Sequence, residues 1–189
     1  MSKFYKLFLS LGVVAILSAC AQAPKEVTKN DIDMLALEIK NLGTEVDPEE
    51  AERAAHIAYT YSLQLAEEYN ITDHPIIHNA KVNNGFRERG ICVHWAEDIE
   101  ARLNEEGFKT LQIHRGIAEG TEFRIVHSSA IISKRGASLE EGIVLDPWRY
   151  GGVLFWSQTL EDSRYPWEPR LEVLQRQYEE KFANKPTTY

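Results

Sequence analysis

The chain has 189 residues, 43% hydrophobic and 26% charged, with a formal net charge of −8 and two cysteines. Those proportions support one packed domain and exclude collagen-like, low-complexity, disordered and cysteine-dense disulfide classes. The acid excess, 29 carboxylates against 21 Lys plus Arg, argues against nucleic acid as a partner, because phosphate contacts need a basic face.

At the N-terminus, Lys3 and Lys6 precede Leu7–Leu17, an apolar run without charge. The run is shorter than the roughly 20 residues that span a bilayer as a helix. It has the length of a signal-peptide core. It ends in Leu17-Ser18-Ala19-Cys20, which resembles the bacterial lipobox, where small residues precede a cysteine that receives lipid. An ordinary cleavable signal with an incidental cysteine, or an uncleaved anchor, are the other readings. The resemblance implies that residues 1–19 are removed and that Cys20 carries acyl chains such as palmitate. It further implies a bacterial envelope location. Ala21 after the cysteine points to the outer membrane, facing the periplasm. Loss of Lys3 and Lys6 takes the charge from −8 to −10 and leaves Cys92 as the one free thiol. An exported domain with an unpaired cysteine needs a reason.

Residues 20–30 are polar, contain Pro24 and lack periodicity, so they read as a lipidated tether. Residues 31–189 read as a single domain. A helix is expected over Asp31–Leu42, with Ile32, Leu35, Ile39 and Leu42 on one stripe and Gly43 as its stop. Asp47 as cap, Pro48 in the first helical position and Glu50 three residues after the cap form a capping-box pattern. Apolar residues then recur at helical spacing to about Asn70. Ile71–Gly90 reads as mixed turn and loop, punctuated by Pro75 and Asn83-Asn84-Gly85. A further helix is expected from about Ile91 to Glu106, with Val93, Ala96, Ile99 and Leu103 inward and Gly107 ending it.

The period then changes. Thr110–His114, Phe123–Ser133 and Gly142–Leu145 are short, rich in Ile and Val, and read as antiparallel strands. Gly152–Trp156 reads as a fourth strand or a packing segment. Glu168–Phe182 reads as a charged helical tail with Leu171, Leu174, Tyr178 and Phe182 as its apolar stripe. Helices followed by strands predict an α+β domain.

Cys92 falls at the predicted start of a helix, just after Gly90. The unpaired N–H groups and positive dipole end there favour a thiolate. A thiolate nucleophile needs an imidazole beside it, and that imidazole needs an orienting acceptor. His127, early in one predicted strand, and Asp146, at the end of the next, are the candidates. Adjacent antiparallel strands can bring these two together, and packing on the helix would bring them to Cys92.

Gly90-Ile91-Cys92-Val93-His94-Trp95-Ala96 resembles the G-x-C-x-x-[WY]-A helix start of the transglutaminase-like superfamily, within the papain-like group. His127 lies 35 residues later, and Asp146-Pro147-Trp148 follows after 19 more, resembling that family's His strand and D-P-x-W-like strand end. The similarity covers about His74 to Trp156. It implies a transglutaminase-like fold with a small antiparallel sheet and a Cys92–His127–Asp146 triad. The triad would act on amide bonds through a thioester acyl-enzyme, passed to water or to an amine. An oxyanion donor is required. The Cys92 N–H is the default, with Asn83, Asn84 or Arg87 in the preceding loop as helpers. Trp95, Trp148 and Trp156 are candidate cleft residues, although aromatics beside strands are more often core.

No cofactor is expected. His74 and His78 have the spacing of a metal pair, yet Pro75 interrupts them and no third ligand accompanies them, so no metal is expected. His94 reads as a surface or supporting group turned away from Cys92. The expected partners are a peptide, protein or peptidoglycan substrate and the membrane that holds the lipid, with the chain as a monomer. The competing reading is an inactive transglutaminase-like module that binds an envelope protein or peptidoglycan.

Overall fold

A computed structural model describes residues 27–183; the signal run, Cys20 and most of the tether lie outside the described residues. The first helix, α1, spans Lys29–Lys40. Thr28 caps it by accepting the Asp31 N–H at 3.2 Å, while the Asp31 carboxylate accepts the Thr28 N–H at 2.9 Å. This reciprocal box begins the helix two residues before the expected start, at the expense of the tether.

The second helix, α2, spans Pro48–Glu68, with Asp47 accepting the N–H groups of Glu49 at 2.8 Å and Glu50 at 3.4 Å. Glu50 does not return the favour expected of a capping box. It is buried, and its carboxylate accepts the Lys109 N–H at 2.7 Å, the Thr110 N–H at 2.8 Å and the Thr110 hydroxyl at 2.6 Å. A long-range demand, three donors ahead of the first strand, outcompetes the local one.

Helix α3, Pro75–Asn83, occupies a stretch that the sequence predicts as loop. Pro75 stands in the first turn, where its missing N–H costs nothing, and His74 Nδ1 accepts the Ile76 N–H at 3.3 Å as the cap. Helix α4 spans Cys92–Asn104 and buries Trp95, Ala96, Ile99 and Leu103. Trp95 takes the inward position expected of Val93, which is only half-buried. Burial of Ile99 and Leu103 contributes about 1.5–3 kcal/mol each.

The strands are β1 (Leu111–Ala118), β2 (His127–Lys134), β3 (Ile143–Asp146), β4 (Phe155–Gln158) and β5 (Glu168–Pro169). They form one antiparallel sheet in the order β4-β3-β2-β1-β5. The chain is therefore α+β among its described residues. Ala130, Ile132, Ile143 and Leu145 face the main core with α1, α2 and α4, while Ile131 and Val144 face a smaller cluster with Tyr165 and Trp167. That alternation is the two-residue period of a sheet buried on both faces.

Two expectations are corrected here. Strand β2 starts at His127 rather than Phe123, because Thr121 and Arg124 bridge into a tight turn that leaves Phe123 exposed. The last helix, α5 (Arg170–Ala183), turns its expected stripe outward. Leu171, Leu174, Tyr178 and Phe182 are exposed, and Val173 is the buried residue. Two ties decide this orientation. Strand β5 pairs with Gly116 and Ile117 just before the helix, and Arg176 pairs with Glu119 and Glu168 at 3.0 Å each.

Candidate active site

Cys92 is the first residue of α4, and Ile91 before it supplies no side-chain cap. The His94 and Trp95 N–H groups return to the Ile91 carbonyl. Among the described residues no partner is assigned to the Cys92 or Val93 N–H, as expected in the first turn of a helix. The first belongs to Cys92 itself and the second to the next residue, and free N–H groups at a helix start are the kind of donor an oxyanion uses.

The turn ahead of the helix is clamped. The Gly90 N–H donates to His94 Nδ1 at 3.1 Å, and the Gly90 carbonyl accepts the Trp95 Nε1–H at 2.9 Å. Gly90 adopts φ +117°, and a Cβ there would lie 2.4 Å from His78 Nε2. Only glycine fits both the angle and the space. His94 is thus not a detached surface group: it fixes the backbone two residues before Cys92. Burial, with Arg89 nearby, lowers its pKa and keeps Nδ1 an acceptor.

His127, at the start of β2, donates from Nε2 to Asp146 Oδ2 at 2.7 Å, with the two side chains 0% and 1% exposed. Its other nitrogen, Nδ1, is buried and has no well-formed hydrogen bond. Cys92 comes up from α4, and its sulfur lies 3.9 Å from the carbonyl oxygen of Val126, the residue before His127. Unliganded catalytic contacts are commonly loose and tighten with substrate. Burial by itself pushes the His127 pKa down. The Asp146 charge and hydrogen bond, with Cys92 adding to them, outweigh it and raise the value to about 9.

Three aromatic rings enclose the imidazole. Ring centroids of Trp148, Tyr165 and Trp167 lie 4.6, 4.5 and 5.4 Å from that of His127. Aromatic faces favour a cation between them. Trp148 is in turn fixed by its Nε1–H donating to Asn79 at 3.0 Å.

Behind Asp146 lies a second layer that sequence spacing does not reveal. Arg149 Nε donates to Asp146 Oδ2 at 3.0 Å, and the Arg149 N–H donates to Oδ1 at 3.2 Å. The guanidinium then grips Asp162 through both terminal nitrogens, at 3.2 and 2.6 Å. It lies 3.7 Å over the Phe155 ring. Asp162 also accepts the Trp167 Nε1–H at 3.0 Å and the Arg164 N–H at 3.1 Å. Arg149 follows directly on the Asp146-Pro147-Trp148 motif. Asp162, Tyr165 and Trp167 cluster in a short segment between strands, and no spacing rule marks them.

The structure brings Cys92, His127, Asp146 and Trp148 together. Trp95 is 1% exposed and belongs to the core rather than a cleft, edge-on to Tyr69. Trp156 is half-buried and donates to the Tyr59 hydroxyl at 2.9 Å. Asn83 is exposed at the end of α3, and Asn84 donates to the Ala80 carbonyl, so neither is committed to the sulfur. Arg87 Nη1 donates to its neighbouring Phe86 carbonyl. A hollow of about 420 Å³ lined by Tyr69, Arg87, Arg89 and Asp98 contains none of Cys92, His127 and Asp146. His74 and His78 spend ring nitrogens on the Ile76 N–H and the Arg89 carbonyl.

No protein-family model, curated protein or solved structure matches the chain.

Proposed function

We propose that this protein is a cysteine hydrolase or acyltransferase of transglutaminase-like fold, acting on amide bonds in the bacterial envelope and anchored through lipid on Cys20. The observation that carries the reading is the buried His127–Asp146 pair at 2.7 Å, beside a helix start at Cys92 whose sulfur lies 3.9 Å from the carbonyl oxygen of Val126, the residue before His127. In the reaction, Cys92 attacks as the thiolate, and the carbonyl oxygen gains charge toward the Cys92 and Val93 N–H groups. The His127 imidazolium gives its proton to the leaving amine. The neutral ring then takes a proton from water or an acceptor amine as the thioester is resolved. Asp146 keeps the ring oriented and compensates its charge throughout. The substrate class is a peptide, protein or peptidoglycan stem, in keeping with the expected periplasmic site.

p-Nitrophenyl acetate tests the chemistry without knowledge of the substrate. The reading predicts a burst of p-nitrophenolate stoichiometric with protein and an acetyl group on Cys92 by mass spectrometry. Both are lost in Cys92→Ser and His127→Ala. Wild-type protein with no burst, or a burst unchanged in His127→Ala, returns the chain to a noncatalytic binding module.

A further inference from the structure

The group behind Asp146 carries more charge than a triad requires. Asp146, Arg149 and Asp162 are buried, with side chains 1%, 5% and 2% exposed. Hydrogen bonds and charge overcome burial to lower the Asp162 pKa and raise that of Arg149, so both are ionised. Two carboxylates and one guanidinium leave one negative charge among buried side chains. A buried charge needs a partner, and the nearest ionisable group that supplies it is the His127 ring.

We propose that Asp162 is a positioning residue which, through Arg149, keeps His127 in its charged form at rest. Without Asp162, Arg149 alone neutralises Asp146 and the demand for an imidazolium disappears. The role in catalysis rests on the triad reading above; the electrostatic coupling does not. Asp146 and Cys92 themselves favour the imidazolium, and Asp162 acts through the first of them by way of Arg149. Cys92 approaches from α4, and Tyr165 approaches from the segment before β5, its own pKa raised by burial. Arg124 and Arg164 lie over the Tyr165 ring, at 5.8 and 5.5 Å from its centroid, and Arg124 is tied to the Glu119 and Arg164 carbonyls.

The test follows the His127 imidazole by NMR as a function of pH, which needs no substrate. The wild-type midpoint is expected near 9. In Asp162→Asn it falls by about one unit or more, and Asp162→Glu keeps it near the wild-type value. The double variant Arg149→Met/Asp162→Asn removes one charge of each sign and restores the midpoint toward wild type. A merely structural role predicts the reverse, with the double variant at least as displaced as the single. An unchanged midpoint in Asp162→Asn overturns the proposal. So does a double variant that stays low, which also decides the matter should Asp162→Asn fail to fold. A lowered midpoint in Asp162→Asn alongside an unreactive Cys92 sinks the catalytic reading and leaves the coupling standing.

Discussion

His127 and Asp146 share a 2.7 Å hydrogen bond in which neither side chain is more than 1% exposed. Salt screens such a pair far less than a surface ion pair. Its energy therefore depends on the protonation state of the ring.

That dependence sets the stability of the fold against pH. The folded His127 pKa, about 9, lies above its ordinary 6.5. The folded state thus binds the proton more tightly, so the contribution is fully present below about pH 6.5 and lost as pH rises through about 9. Urea denaturation should give a stability fall on the order of 1–3 kcal/mol between those limits. His127→Gln should flatten the profile across the same window.

Gly90 is expected to tolerate no side chain. Its φ of +117° and the 2.4 Å approach of a Cβ to His78 combine strain with a clash. Gly90→Ala should cost about 2–4 kcal/mol. Gly85 is the control: its φ is +77°, but nothing lies within 4 Å of a Cβ there. Gly85→Ala should cost only about 1 kcal/mol. Equal losses in thermal melts would contradict the interlock of His78 and Gly90 ahead of Cys92.

Glu50 joins the start of α2 to the approach of β1 by accepting three donors. Glu50→Gln turns an amide donor toward groups that are themselves donors. The expected loss is about 1–3 kcal/mol, read by urea denaturation at neutral pH. Because hydrogen bonds from Lys109 and Thr110 overcome burial and lower the Glu50 pKa, wild type should also lose this contribution as pH falls into the acid range. The variant should not.

Asp146→Asn preserves size and removes the charge that His127 and Arg149 share. The p-nitrophenyl acetate burst rate should fall roughly 10²–10⁴-fold, while circular dichroism remains that of a folded α+β domain. A burst rate within about threefold of wild type would remove Asp146 from the mechanism.

Where local signals decide, sequence and structure agree. Asp47 and Pro48 start α2 as their chemistry requires, Gly107 follows the end of α4, and Cys92 opens a helix facing a strand that carries His127. Local signals misled where a distant partner had a stronger claim. Glu50 abandoned its cap for Lys109 and Thr110, and the Leu171–Phe182 stripe turned outward once β5 and Arg176 fixed its helix. Pro75 reads as a break yet opens α3, since a first-turn position needs no N–H.

The site divides the same way. The placement of Cys92 at a helix start, and the meeting of His127 with Asp146 across neighbouring strands, are legible because the order of the elements carries that information. Asp162 meets Arg149 only through the folded return of the chain after β4, so nothing in its neighbourhood marks it. Asn83 and Asn84 stand close to Cys92 in sequence, but α3 claims both, one at its end and one as its cap.

If His127 activates Cys92, the rate of Cys92 alkylation by iodoacetamide at pH 6 separates the full chain from His127→Ala. An ordinary thiol is almost wholly protonated there. The account predicts that wild-type Cys92 reacts at least about tenfold faster than a free thiol of pKa about 8.5, and that His127→Ala abolishes the advantage. Equal rates in the two proteins, both at the level of an ordinary thiol, would contradict it.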